Sequence, residues 1–166
     1  MSKVYVVVRT IGESTLLKCL ESLIKKEIPF SVVRYKPLEL AAKETIRTGF
    51  LLKGEYDWVI GLDADVELTM NREEIEKYCD EQKKVFPDSW CFTAWLDCTE
   101  RGIISGTQFF RTEYCERVYN YIKDRDFSYH LGREEYEIKK VCKSELGLGW
   151  ELGIKKIPFG IHYFKK

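Results

Sequence analysis

Asp63 and Asp65 stand one residue apart at the end of an apolar run, VIGLDADVEL, residues 59–68. Burying carboxylates costs several kcal/mol unless something compensates them. On an extended segment, side chains at i and i+2 project from one side. A pair of oxygen donors so placed is a mount for a hard divalent cation. Mg²⁺ is usually held by one or two carboxylates plus substrate phosphates, and Mn²⁺ accepts the same donors and also imidazole. The plainer reading is a turn in which Asp65 caps local backbone groups. The chain has two histidines, His130 and His162. His162 is flanked by Ile161, Tyr163 and Phe164, which suits a packed and hydrogen-bonded ring as well as a ligand. Glu134, Glu135 and Glu137 follow Gly132 and suit the acidic first turn of a helix.

These residues need elements to hold them. KVYVVVRT (3–10) is β-branched and continuous, as a strand buried on both faces is. Ser14 is placed to cap a helix in which Leu16, Leu17, Leu20, Leu23 and Ile24 recur at helical spacing. FSVVRY (30–35) reads as a second strand, and Pro37 opens a helix over Leu38 to Lys53 that Gly54 ends. YDWVIGLDAD (56–65) reads as a third strand, followed by a polar helix over 72–84. Strand–helix alternation of this kind predicts a parallel α/β sheet with right-handed crossovers. Ligands of such sheets bind beyond the carboxyl ends of the strands. Asp63, Asp65, Thr10 and Glu13 all fall at that rim.

The second half predicts paired strands over 91–97 and 103–110, helices over 112–123 and 133–143, and a last extended segment in IKKIPFGIHYF. Pro158 argues for an edge or a bend there. LGLGWELG (146–153) reads as a loop. The four tryptophans, Trp58, Trp90, Trp95 and Trp150, read as core. One domain is expected over 1–166, with a first half at 1–70 and a second half at 88–166.

Composition narrows the partners. Of the 166 residues, 45% are apolar and 33% charged, a globular balance. Lys+Arg and Asp+Glu are both 27, so no net charge argues for nucleic acid or an anionic membrane, and no nucleic acid partner is expected. No stretch approaches the roughly 18 to 20 apolar residues of a transmembrane segment, which leaves only peripheral membrane contact. The six cysteines form no C-x-x-C pair and read as mostly reduced thiols of a cytoplasmic protein.

Several segments together resemble the family 2-like GT-A glycosyltransferases. VYVVVRTIGESTLLKCLESLIKKE is similar to their opening strand, loop and T-L-x-x-C-L-x-S-L helix, and KGEYDWVIGLDADVEL to the segment that carries their metal-binding D-x-D. SGTQFFRTEYCERV resembles their G-x-x-x-F-R stretch, GREEYEIKKV their G-E-D-x-E-L, and GIKKIPFGIHYF a late strand ending in a metal-ligating histidine. The matches occur in the family's order and span nearly the whole chain. The resemblance implies a GT-A, Rossmann-like, mostly parallel sheet flanked by helices, with a nucleotide-binding half at 1–70 and a shortened acceptor and metal-completing half at 88–166. It implies that Asp63, Asp65 and His162 hold Mn²⁺ or Mg²⁺ on the diphosphate of a nucleotide sugar. It places Glu135 as the base that takes the acceptor hydroxyl's proton in an inverting transfer, with Glu134 as the neighbouring candidate. Thr10 and Glu13 fall where the first loop cradles the nucleoside, and Arg47 where a basic residue approaches it. The expected partners are a nucleotide-sugar donor, a UDP-sugar first, and a carbohydrate or other hydroxyl acceptor.

Two departures bear on this. The second strand runs into VVRYKPLEL where the family has an acidic turn that helps select the base, with Glu39 the nearest acid. The base position holds Glu in place of Asp, one methylene longer. The short acceptor half also suits a non-catalytic module that binds a nucleotide sugar or a partner. A nucleotidyltransferase would need a glycine-rich basic loop where RTIGEST has one glycine and one arginine. A phosphatase would need one of the aspartates as a nucleophile.

Overall fold

The first strand is apolar from Val4 to Val8 because both of its faces are covered. The computed structural model describes residues 1–34, 38–128 and 133–163. Along β1 (Val4–Thr10), Val4, Val6 and Val8 enter one core layer, and Val7 enters the other with Tyr5 packed against it. The same alternation runs through β3 (Trp58–Asp63): Trp58, Ile60 and Leu62 face the first layer and Val59 the second. The first layer is closed by α1 (Leu16–Lys25) and α3 (Arg72–Val85) through Cys19, Leu23, Ile75 and Cys79. The second is closed by α2 (Leu38–Leu51), α4 (Thr112–Ile122) and α5 (Glu134–Leu146) through Ala42, Ile46, Cys115, Val118 and Ile138.

The remaining strands are β2 (Phe30–Arg34), β4 (Val66–Leu68), β5 (Ser89–Cys98), β6 (Gly102–Arg111), β7 (Gly149–Leu152) and β8 (Pro158–His162). They join one eight-stranded sheet in the order β2-β1-β3-β6-β5-β8-β4, with β7 also paired to β5. β1 runs parallel to both β2 and β3, which makes the first half two crossover units. β5 runs parallel to β7 and β8, while β6 is antiparallel to β3 and β5, and β4 to β8. The parallel pairings predominate, and helices cover both faces. This is the α/β, mostly parallel, helix-flanked fold that the sequence predicts.

Several local readings change. Ser14 does not cap α1: the cap position is Thr15, already helical at φ −82° and ψ −9°, with no side-chain cap bond. The Leu16 N–H donates to the Glu13 carbonyl, so the backbone closes the turn itself. LGLGWELG is not all loop, because β7 runs through it and finds β5 as a partner. Pro158 is not on an edge, since β8 lies between β5 and β4, but the register with β5 shifts there, from Trp95 opposite Pro158 to Leu96 opposite Gly160, so of the two expectations the local irregularity holds. The third strand stops at Asp63, and Ala64 and Asp65 form a turn before β4. α2 does end before Gly54, which has φ +90°. Tyr35, Pro37, His130, Gly132 and Phe164, invoked above, lie outside the described residues.

Candidate active site

At the carboxyl end of β1 the alternation puts Arg9 on the side of the second layer, where a charge has no water. Its side chain is 4% exposed. Two carboxylates compensate it. Nε and Nη2 of Arg9 donate to Asp63 Oδ1 at 3.0 and 2.8 Å, and Nη1 donates to Glu135 Oε1. β1 and β3 are parallel with Arg9 paired to Asp63, so the sheet register itself brings the first partners together. Glu135 comes from the first turn of α5, 126 positions from Arg9. Burial alone pulls the Arg9 pKa down, but the charges of Asp63 and Glu135 outweigh it and the guanidinium stays firmly protonated. Burial pushes Glu135 above its ordinary value, and Arg9 holds back part of that rise.

Asp65 turns elsewhere. Its Oδ2 lies 3.1 Å from Nε2 of His162, and its Oδ1 is buried with no hydrogen-bond partner. Three strands deliver the histidine: in β8 it pairs with Val66 of β4 and Cys98 of β5, and the next N–H, of Tyr163, donates to the Asp65 carbonyl at 2.9 Å. Nδ1 of His162 lies 3.5 Å from the Cys98 sulfur. Burial pushes the Asp65 carboxyl up more than His162 pulls it down. Burial pulls His162 down, but its contacts with Cys98 and Asp65 raise it overall. The His162 contact in turn lowers the Cys98 thiol. All six cysteines are free and buried.

The first loop is tied to itself. Thr10 Oγ1 donates to Glu13 Oε2 and accepts from the Gly12 N–H at 2.9 Å, and the Ile11 N–H also donates to Glu13. The Glu13 carboxylate thus closes the loop between β1 and α1. Arg34, the last residue of β2, lies over the same turn: a Cβ on Gly12 would stand 3.3 Å from its Nη2.

The structure therefore brings Asp63 to Glu135 through Arg9, Asp65 to His162, and Thr10 to Glu13. Asp63 and Asp65, on either side of the turn at Ala64, take different partners. Among the described residues, no three His, Cys, Asp or Glu side chains stand close enough to hold one metal ion. Glu134 is buried at 2% exposure with Oε2 unpartnered, and it does not share the Arg9 contact. Arg47 makes none of these contacts; it lies in the second half of α2. There its exposed side chain pairs with Glu44 at 3.1 Å. Trp58 and Trp90 are core. Trp95 is partly exposed and donates to the Gly153 carbonyl, and Trp150, partly exposed too, lies under Lys139.

Arg9, Arg34 and Cys98 were not among the residues that the sequence singled out. Arg9 carried a usable signal, since a cation inside a run buried on both faces demands a counter-charge. Cys98 and Arg34 carried none.

No protein-family model matches the chain. No curated protein matches it either. Solved structures do. The crystal structure of A197 from STIV aligns over 98% of this chain and 86% of its own, with TM-score 0.65 and 14% identity. A glycosyltransferase involved in the glycosylation of the major capsid of PBCV-1 aligns over 96% and 92%, with TM-score 0.52 and 13% identity. The 4-diphosphocytidyl-2C-methyl-D-erythritol synthase of Anaerococcus prevotii aligns over 93% and 90%, with TM-score 0.56 and 8% identity. At these identities the likeness is one of fold: the chain shares its α/β architecture with a glycosyltransferase and with a 4-diphosphocytidyl-2C-methyl-D-erythritol synthase.

Proposed function

We propose that this chain is a metal-dependent glycosyltransferase that moves a sugar from a nucleotide-diphosphate sugar to an acceptor hydroxyl, with inversion. The observation that carries the reading is the return of His162 to Asp65, next to Asp63, at the carboxyl rim of the sheet. The fold shared with a glycosyltransferase supports it.

The residues present fit Mn²⁺ or Mg²⁺. Asp65 and His162 offer a carboxylate beside an imidazole, and Asp65 Oδ1 is a buried acceptor without a donor. Two protein groups are an ordinary complement where diphosphate oxygens supply the rest. Asp65 and His162 would hold the ion, with Asp63 beside them, and the ion would supply positive charge against the departing diphosphate.

The chain's own residues do the rest. The acceptor oxygen attacks the anomeric carbon as the bond from that carbon to the diphosphate breaks. The acceptor proton passes to the Glu135 carboxylate, whose Oε1 is held by Arg9 and whose Oε2 is buried without a hydrogen-bond partner in the ligand-free protein. Burial raises the affinity of Glu135 for that proton, which suits a general base, a role worth about 10²–10⁴-fold. Thr10 and Glu13 shape the nucleoside side of the rim. One observation favours a second reading, a nucleotide-sugar-binding module without turnover: Glu135 already spends one oxygen on an ion pair.

A thermal-shift panel of nucleotide sugars with and without Mn²⁺ tests the reading. A ligand at 100 times its Kd adds about 2.7 kcal/mol of stability. Stabilisation by one donor class only when Mn²⁺ is present is the expected result. No shift with any nucleotide sugar overturns the reading, and a shift without hydrolysis or transfer selects the binding module.

A further inference from the structure

The loop of contacts through Arg9 links two parts of the site that the sequence treats as separate. Asp63 ends β3, Glu135 begins α5, and the buried guanidinium of Arg9 is shared between them. The path is built, not incidental. Arg9, Gly61 and Asp63 share one face of the sheet, and a Cβ on Gly61 would stand 3.2 Å from Arg9 Nη1, 3.4 Å from its Cζ and 3.3 Å from Thr45 Cγ2. The missing side chain at Gly61 is therefore the slot through which Arg9 reaches α5. The donors are also divided: Nε and Nη2 both serve Asp63 Oδ1, and Nη1 serves Glu135 Oε1. Lysine has no fork and cannot serve two carboxylates in fixed directions. The next cation on α5, Lys139, does not duplicate Arg9, because its buried Nζ donates to Thr93 and Gln108.

We propose that Arg9 is a positioning residue that couples the diphosphate end of the site to the base end, with Gly61 keeping its path open. Asp63 fixes one edge of the guanidinium, the opposite edge fixes Oε1 of Glu135, and Oε2, buried without a hydrogen-bond partner, is the acceptor atom of that carboxylate left unused. A displacement of Asp63 on binding the donor is then transmitted to Glu135. The catalytic part of this inference rests on the glycosyltransferase reading, while the mechanical coupling does not.

The experiment has two arms. In the ligand-free protein, the side-chain carboxyl carbon of Glu135 is followed by NMR in wild type, Asp63→Asn, Arg9→Lys and Arg9→Lys/Asp63→Asn. Asp63→Asn is expected to move the Glu135 signal in the wild-type background and leave it unmoved when residue 9 is lysine. A Glu135 signal indifferent to Asp63, or equally sensitive in both backgrounds, overturns the coupling whether or not the protein is an enzyme. Gly61→Ala keeps every charge and is expected to weaken the same response, so loss of folding in one charge variant does not decide the matter. In the second arm, turnover of the donor found by the panel is expected to fall about 10- to 100-fold in kcat for Arg9→Lys, the range of outer-shell partners, with donor KM changed less. A loss carried wholly by KM, or no loss, overturns the positioning role. A wild-type protein that turns over no donor refutes the glycosyltransferase reading and leaves the first arm to judge the coupling.

Discussion

His162 Nε2 and Asp65 Oδ2 lie 3.1 Å apart although 97 positions separate them in the chain. The contact exists because β8 inserts between β5 and β4 and ends opposite Val66, where the turn at Ala64 and Asp65 gives way to β4. If this pair holds the ion, His162→Gln and Asp65→Asn each raise the Mn²⁺ concentration needed for nucleotide stabilisation. The increase is expected to reach at least the 10- to 100-fold that an outer-shell partner costs. Melting curves at graded Mn²⁺ with a fixed nucleoside diphosphate measure it, and an unchanged requirement in both variants removes the pair from the metal site.

The same contact gives a pH dependence in metal-free protein. Cys98 and Asp65 raise the His162 pKa in the folded state against the drag of burial. A group with a raised folded pKa stabilises fully below its unfolded value, about 6.5 for histidine, and loses that contribution as pH rises through the folded value. Urea unfolding in EDTA is expected to show stability declining from pH 6.5 upward, with a shallower decline in His162→Gln. Equal slopes for the two proteins contradict the assignment.

Helix α3 carries a capping box. Asn71 accepts from the Glu74 N–H at 2.9 Å, and the Glu74 side chain accepts from the Asn71 N–H at 2.9 Å. Asn71→Ala is expected to cost about 1 kcal/mol in equilibrium unfolding. The nucleotide response should be untouched, since this end of α3 makes none of the contacts of the candidate site.

Phe92 is 1% exposed in the first core layer, with ring centroids of Trp58, Tyr78 and Phe109 at 5.2, 5.7 and 4.5 Å. Truncation to alanine leaves a cavity between sheet and helix. A loss of about 3–5 kcal/mol is expected by chemical denaturation. A loss below about 1 kcal/mol would mean that the layer recloses around the gap.

What the sequence determined by itself is local and periodic. The β-branched run of β1, the leucine spacing of α1, the crossover alternation through β3 and the acidic start of α5 each follow from patterns a few residues long. They were enough for the α/β class and for the rim on which Asp63, Asp65 and Thr10 lie. β7 was not legible, because the four residues Gly149–Leu152 are extended only by virtue of pairing with β5.

The tertiary structure alone decided which residues meet. Two aspartates at i and i+2 would share one side of a continuous strand, but the turn at Ala64 gives Asp63 to Arg9 and Asp65 to His162. Arg47 found its partner in Glu44 on its own helix, while the glycine at 61 let Arg9 cross to Glu135. The physical reason is the same for Arg9 and for Asp65. Periodicity tells which face a side chain takes, whereas a buried charge finds its partner through contacts distant in sequence, which only the folded sheet brings together.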